Sequence, residues 1–367
     1  MEPGGALTLG VEEEFLLVDR HGHLADRGPE VSDGVPEPLG QVEYELSRCQ
    51  VEAATDVCTS MDEIVQGLRD LRAKLAIEAG SQGLRLLPSG VAPLAEARRI
   101  PITPKDRYQR MEREFGALAQ VSLTCACHVH IGIADRSCGL VISNRLRPWL
   151  PVLLALTANS PFHDGVDTRH ASWRRVTWSR WPSSGPPPYF ESVERYESLV
   201  DALLRTGAIL DRGMIYWDVR LSDHEPTLEV RISDVAATVE EAVLLAVLVR
   251  GLAGRALDEG SAPGTRGGGP SREVLAASLW RAARDGLSGH CVDPDSGALV
   301  PTWRRVDDLV RHVRPQLRST GDEEFVTETL ARLRAEGGGA QRQRAAFARR
   351  NRLTDVVDEL VWPVEAG

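Results

Sequence analysis

Four extended segments of the chain each place a pair of ionisable residues on one face. Side chains alternate sides along a strand, so residue parity tells which groups look the same way. In residues 122–133, Leu123, Cys125, Cys127, Val129, Ile131 and Ile133 fall on one side, and Ser122, Thr124, Ala126, His128, His130 and Gly132 on the other. In residues 7–19, Glu12 and Glu14 share a face while Glu13 points the opposite way. In residues 227–234, Thr227, Glu229, Arg231 and Ser233 oppose Leu228, Val230 and Ile232, and in 216–220 Asp218 and Arg220 oppose Trp217 and Val219. An antiparallel sheet with one apolar face and one polar face accommodates all four.

A solvated sheet face explains any one of these patterns, but the set as a whole is unusual. The polar sides carry Glu–Glu, His–His, Glu–Arg and Asp–Arg rather than the Thr, Lys and Gln of a generic wet face. Clustered carboxylates repel unless cations sit between them. Hard divalent ions such as Mg²⁺ take oxygen ligands and share them with substrate phosphates. The pattern therefore points to a metal–phosphate site on a sheet face. A further extended stretch, 42–58, adds Glu43, Glu45 and Glu52. Glu45 and Glu52 differ in parity, so they converge only if the intervening SRCQ is a bulge, a turn or a loop.

Composition narrows the function classes. The formal charge of −10 over 367 residues argues against a nucleic-acid binder or a basic membrane-surface protein. The longest apolar run, Ala242 to Val249, is too short for a membrane span, and the first residues carry no secretory pattern. Six cysteines without a CxxC pair fit reduced thiols in the cytoplasm. Only two of the 43 basic residues are lysines, Lys74 and Lys105, and neither lies in a GxxxxGK[ST] loop or a VAIK-type motif. If the chain handles a nucleotide, arginines and metal-binding carboxylates do the electrostatic work. From 301 to 352, 12 arginines face 7 acids, and this basic stretch reads as a solvated helical face or an acidic-substrate surface.

The remaining elements follow from periodicity and caps. Ser60 and Glu63 form a capping box before a helix to about residue 79. A short strand is expected at 84–90, and helices at 103–119, 145–159, 190–212 and, boxed by Thr238 and Glu241, 238–257. Residues 20–40, 161–189 and 260–270 read as irregular, and everything from about 271 as helices broken by Gly and Pro. Strands without regular strand–helix alternation favour an α+β fold with an antiparallel sheet, in a single domain over 1–367. Cys125 and Cys127 fall on the core face, and His163, His170, His224, His290 and His312 have no ligand spacing.

Six segments carry a resemblance: GVEEEFLLVD (10–19), YELSRCQVEAATDVC (44–58), CHVHIGI (127–133), NSPFHDGVDTRHASWR (159–174), WPSSGPPP (181–188) and WDVRLSDHEPTLEVRISDV (217–235). In this order they resemble the glutamate–cysteine ligase family of carboxylate–amine ligases, relatives of glutamine synthetase. The resemblance implies a curved antiparallel sheet with helices packed on its convex side. Its concave face would hold ATP, two or three Mg²⁺ ions and an amino-acid carboxylate. Glu12, Glu14, Glu45, Glu52, His130 and Glu229 look like metal ligands, His130 matching the family pattern better than His128. Arg231 and Arg220 look like nucleotide-phosphate contacts, and Arg231, Arg174 and Arg220 like the catalytic arginines. The implied reaction is amide formation through an acyl phosphate. Its acceptor is cysteine or a pathway-specific amine, its partners are small-molecule amino acids and amines, and a homodimer is implied. A non-catalytic binder of amino acid or nucleotide is the rival. Arg169, His170 and Trp173, Trp178 and Trp181 depart from the usual family residues, which makes an unusual substrate the expectation there.

Overall fold

The computed structural model describes residues 7–36, 41–96, 100–121, 123–260 and 269–363. Its strands are β1 (Leu9–Val18), β2 (Gln41–Tyr44), β3 (Gln50–Ala54), β4 (Arg85–Leu87), β5 (Ala126–Gly132), a small hairpin of β6 (Phe162–His163) and β7 (Val166–Asp167), β8 (Val219–Leu221), β9 (Thr227–Asp234), and a second hairpin of β10 (His290–Val292) and β11 (Leu299–Pro301). Within the described residues, seven strands form one open antiparallel sheet in the order β2-β3-β1-β5-β9-β8, with β4 pairing the far end of β1. The polar stretch 42–58 thus becomes two strands joined by a turn over residues 45–49, one of the routes by which Glu45 and Glu52 can meet.

The helices are α1 (Gly28–Gly34), α2 (Met61–Ser81), α3 (Asp106–Phe115), α4 (Ala117–Val121), α5 (Arg136–Leu146), α6 (Leu150–Thr157), α7 (Trp173–Trp178), α8 (Val193–Arg205), α9 (Val239–Glu259), α10 (Arg272–Asp285), α11 (Thr302–Thr320), α12 (Glu323–Glu336), α13 (Gly339–Arg350) and α14 (Leu353–Leu360). The box at α2 is reciprocal: Glu63 donates its amide to Ser60 Oγ at 3.3 Å and its carboxylate accepts from the Ser60 amide at 3.4 Å. At α9 only half of the expected box forms. Thr238 caps the Glu241 amide, but the Glu241 carboxylate turns to Arg342 at 2.7 Å, a partner 101 positions away that local spacing cannot reveal.

Other departures from the sequence expectations have local causes. The stretch read as a loop over 20–40 contains α1, whose second residue, Pro29, is already set for a first helical turn. The helix expected to 119 breaks at Gly116, whose φ of 55° with ψ of −126° favours glycine. The strand expected from 122 begins at Ala126, and Ser122 lies outside the described residues, as does most of 260–270. The helical region expected at 145–159 starts nine residues earlier, where Asp135 caps the Cys138 amide at 2.8 Å. Residues 161–189 enclose α7, capped by Ser172, and the C-terminal part contains the β10–β11 hairpin as well as helices.

Helices cover one face of the sheet. Val11, Val129, Ile131, Leu228 and Val230 share a buried cluster with residues of α5, α6 and α9. Phe15, Leu17 and Val51 join α2 and the C-terminal Val356, Val357 and Leu360 in a second. Glu13 points into this covered face, as its parity requires. There the fully buried Arg72 of α2 grips it through Nε at 2.8 Å and Nη2 at 2.5 Å. Arg72 also donates to the Ala236 carbonyl at 2.9 Å and lies near the rings of Phe15 and Trp362.

Removing one partner of a buried ion pair strands the other charge, a loss of about 3–5 kcal/mol. Glu13→Ala is therefore expected to destabilise the protein by that order in urea unfolding. Glu52→Gln, on the opposite face, removes a carboxylate that burial and its acidic neighbours disfavour, and is expected to leave stability unchanged or raised.

Candidate active site

Strand register brings the polar residues together. Glu12 lies opposite His128, Glu14 opposite Glu52, and Glu229 opposite both His130 and Arg220. Pairing between β5 and β9 shifts between Cys127 and Val129: Cys127 faces Ser233, whereas Val129 faces Val230. Two residues of β9, Arg231 and Ile232, therefore oppose His128 alone, a bulge that re-aims a side chain. Arg231 Nη1 comes within 3.4 Å of His128 Nδ1 and donates to Glu229 Oε2 at 3.0 Å.

Among the described residues, two sets of side chains each bring three ligand atoms within 4.8 Å of one another: Glu12, Glu52 and His128, and Glu14, Glu45 and Glu52. Glu52 belongs to both. The β2–β3 turn brings Glu45 into reach, resolving its parity mismatch with Glu52. His130 stands beside these groups, its Nε2 2.9 Å from Glu12 Oε1 and its Nδ1 3.1 Å from Thr227 Oγ1. Glu229 also lies outside both sets, held by Arg220 at 2.7 Å and by Arg231. Of the six residues expected as metal ligands, four lie in the two sets, with His128 completing the first; His130 and Glu229 neighbour them.

The electrostatics of the cluster fit a cation. Burial, then the charge of Glu45, pushes Glu14 up to about 7 against the opposing pull of Arg174 and Arg231. Burial followed by Glu45, Glu12 and Glu14 raises Glu52 well above the carboxylate range. Burial also acts on Glu12, but its bonds to His128 and His130 prevail and hold it below that range. Burial and the Arg231 charge depress His128 to about 3, so its imidazole is neutral, the form that binds metal. His128 Nδ1 lies 3.1 Å from Glu12 Oε2, while its buried Nε2 has no hydrogen-bond partner and stands 3.9 Å from Glu14 Oε1. A ring nitrogen without a partner, facing carboxylates that repel one another, fits a divalent ion.

The three arginines differ. Arg220 commits three of its five N–H donors to the protein, giving Nε to Glu229 and Nη1 to the carbonyls of Gly213 at 2.7 Å and Ile215 at 3.1 Å. Arg231 and Arg174 each keep a buried Nε without a partner. Arg174, on α7, is 2% exposed, lies 5.7 Å over the Trp178 ring, and reaches only the Arg231 carbonyl at 3.4 Å. Both therefore retain capacity for an oxyanion.

Sequence reasoning missed the flanking residues. Asp218 does not join Arg220 on Glu229; it is buried in an ion pair with Arg175. Arg107 grips Asp211 at 2.8 and 3.0 Å, and Tyr216, pushed up to about 12 by burial, packs on Trp178 and Trp181. These come from separate loops and helices, and no local spacing links them. Thr227 did carry a signal, sharing parity with Glu229. Among the unusual residues, Trp173 lies between His163 and His170, and Arg169 adopts a left-handed φ of 59°.

A pH prediction follows from Glu14 and Glu52. Their folded-state pKa values exceed the unfolded value, so the native state holds protons that the unfolded chain releases. Stability is then greatest at low pH and falls as pH rises through about 7. Metal-free protein is expected to lose about 1 kcal/mol between pH 6 and pH 8 in chemical unfolding from Glu14 alone. Glu52→Gln is expected to flatten that dependence, and a saturating divalent cation to reverse the loss.

Comparisons with known proteins agree with this geometry. The sequence signature of glutamate-cysteine ligase family 2 matches residues 8–360. A protein of Rhodococcus jostii (strain RHA1), provisionally named glutamate–cysteine ligase 2-1, is 49% identical over 99% of this chain and 98% of its own length. One of Saccharopolyspora erythraea with the same provisional name is 47% identical over 97% of this chain and 94% of its own. The crystal structure of glutamate–cysteine ligase from Francisella tularensis in complex with AMP shares the fold, with a TM-score of 0.71 at 12% identity over 97% of this chain and 87% of that one. With the signature spanning nearly all of its length, the chain belongs to glutamate–cysteine ligase family 2.

Proposed function

We propose that this chain is an ATP- and Mg²⁺-dependent carboxylate–amine ligase that joins the γ-carboxyl of glutamate to the amine of cysteine through an acyl phosphate. The observation that carries the reading is the carboxylate–imidazole cluster beside two buried arginines with unpartnered Nε–H groups. Family membership supports it, as do the ligase names of the relatives. The reading includes one catalytic unit over the whole chain, a homodimer and a cytoplasmic location. All six cysteines are free, and no helix among the described residues is long and apolar enough to cross a membrane.

A carboxylate cannot lose oxide to an amine in water. Transfer of the γ-phosphoryl of ATP to a carboxylate oxygen gives ADP and an acyl phosphate, from which the amine displaces phosphate. Negative charge grows on the phosphoryl oxygens during transfer. Arg231 and Arg174 meet it with planar donors, and Glu229, itself anchored by Arg220, holds the Arg231 guanidinium in place. Glu12, Glu52 and His128, and Glu14, Glu45 and Glu52, would hold Mg²⁺, which when bound neutralises phosphate charge and polarises phosphate oxygens. His130, braced by Thr227, orients Glu12.

The direct test is ADP release with Mg²⁺ across a panel of amino acids and amines. Release with glutamate only when cysteine is present supports the proposal. Release with another amine changes the acceptor, and no release with any pair contradicts it in favour of a non-catalytic binder. Arg231→Lys keeps the charge but loses the planar fork, and is expected to lower turnover at least about tenfold. Arg349→Lys, at an exposed pair with Glu359, is expected to change turnover little.

A further inference from the structure

Asp234, the last residue of β9, is fully buried and touches none of the groups assigned above to metal or phosphate. Its Oδ2 accepts from the Asn159 amide at 2.8 Å and from Ser160 Oγ at 2.7 Å, and its Oδ1 accepts from Ser172 Oγ at 2.7 Å. Both serines then turn to the first turn of α7. Ser160 Oγ accepts from the Arg174 amide at 3.0 Å, and Ser172 Oγ accepts from the Arg175 amide at 3.2 Å. A hydroxyl has one proton. By taking that proton from each serine, the carboxylate leaves only lone pairs facing the helix, and the direction of both bonds is set.

The surroundings are built for this arrangement. A Cβ on Gly90 would come within 2.9 Å of Asp234 Cγ, so the chain closes over the carboxylate only with glycine there. Asn159 donates to the carbonyls of Pro88 at 2.8 Å and Val235 at 3.0 Å, and its Oδ1 accepts from Gln343 of α13 at 2.8 Å. A helix of six residues has too few internal bonds to hold its own position and depends on such external ties. From this helix Arg174 reaches toward the carboxylate cluster on one side, while Arg175 is tied to Asp218 on the other.

We propose that Asp234 is a positioning residue: through the hydroxyls of Ser160 and Ser172 it fixes the start of α7, and thereby aims Arg174 at the site where the phosphoryl oxyanion forms. The inference rests on the reading of Arg174 as an oxyanion donor. A displacement of about 1 Å at the helix start withdraws a donor from its target and weakens transition-state binding more than ground-state binding.

The test is a double-mutant cycle between Ser172→Ala and Arg174→Ala, read both in ADP release and in Mg-ATP affinity by calorimetry. Ser172→Ala is expected to lower kcat about fivefold or more in the parent, with little change in KM, and less than twofold once Arg174 is already alanine. Ser172→Thr, which restores a capping hydroxyl, is expected to recover activity. Asp234→Asn is expected to be non-additive with Ser172→Ala. Should Ser172→Ala fail to fold, Ser160→Ala enters the same cycle. Equal losses in both Arg174 backgrounds, by both readouts, overturn this inference alone. Absent ADP release with retained Mg-ATP affinity overturns the ligase reading while the cycle still reports on Arg174. A parent that neither binds nor turns over Mg-ATP overturns both.

Discussion

Mutual repulsion among carboxylates on one sheet face is the constraint around which this molecule is arranged. Glu12, Glu14, Glu45 and Glu52 are brought within ligand distance by strand register and one turn, and two of them are driven toward the protonated form. Such an arrangement lowers stability unless something cationic completes it. The fold tolerates it because the covered face of the same sheet is densely apolar, and because the one glutamate pointing that way, Glu13, has its own buried arginine.

Arg220, Arg231 and Arg174 supply positive charge near the cluster, and each is restrained differently. Arg220 holds Glu229 and two carbonyls, and Glu229 in turn orients Arg231. Arg231 gains its place from a bulge, so the strand irregularity, and not a regular ladder, sets its distance to His128. Arg174 arrives on a short helix fastened by serines to a buried carboxylate. Both buried arginines, Arg231 and Arg174, keep an Nε–H without a protein partner. With planar donors fixed before any ligand arrives, little reorganisation accompanies charge development.

Much of the sheet face was legible because parity is a property of consecutive residues. The sharing of a face by Glu12 with Glu14, and by Glu229 with Arg231, needs no knowledge of neighbours, and the opposite orientation of Glu13 follows from the same rule. What parity cannot supply is register: the geometry sets His128 against Glu12 and His130 against Gly10, yet both rings reach Glu12, at 3.1 and 2.9 Å. The meeting of Glu45 and Glu52 was conditional on a break in the strand, and the turn over 45–49 provides it. Arg72 for Glu13, Arg342 for Glu241 and the serines around Asp234 stayed hidden, since each partnership joins residues 59 or more positions apart in sequence or depends on a loop closing. Glycine mattered in both directions: Gly116 splits a helix that periodicity joined, and Gly90 permits an approach that no pattern announces.

The central claim, that the repelling carboxylates form divalent-cation sites serving a phosphate, is tested most directly by a crystal structure grown with Mn²⁺ and a non-hydrolysable ATP analogue, with anomalous scattering locating the metal. The account predicts anomalous peaks among Glu12, Glu52 and His128 and among Glu14, Glu45 and Glu52, with phosphate oxygens within hydrogen-bond distance of Arg231 and Arg174. Manganese found elsewhere, or an analogue whose phosphates lie away from this sheet face, would contradict it.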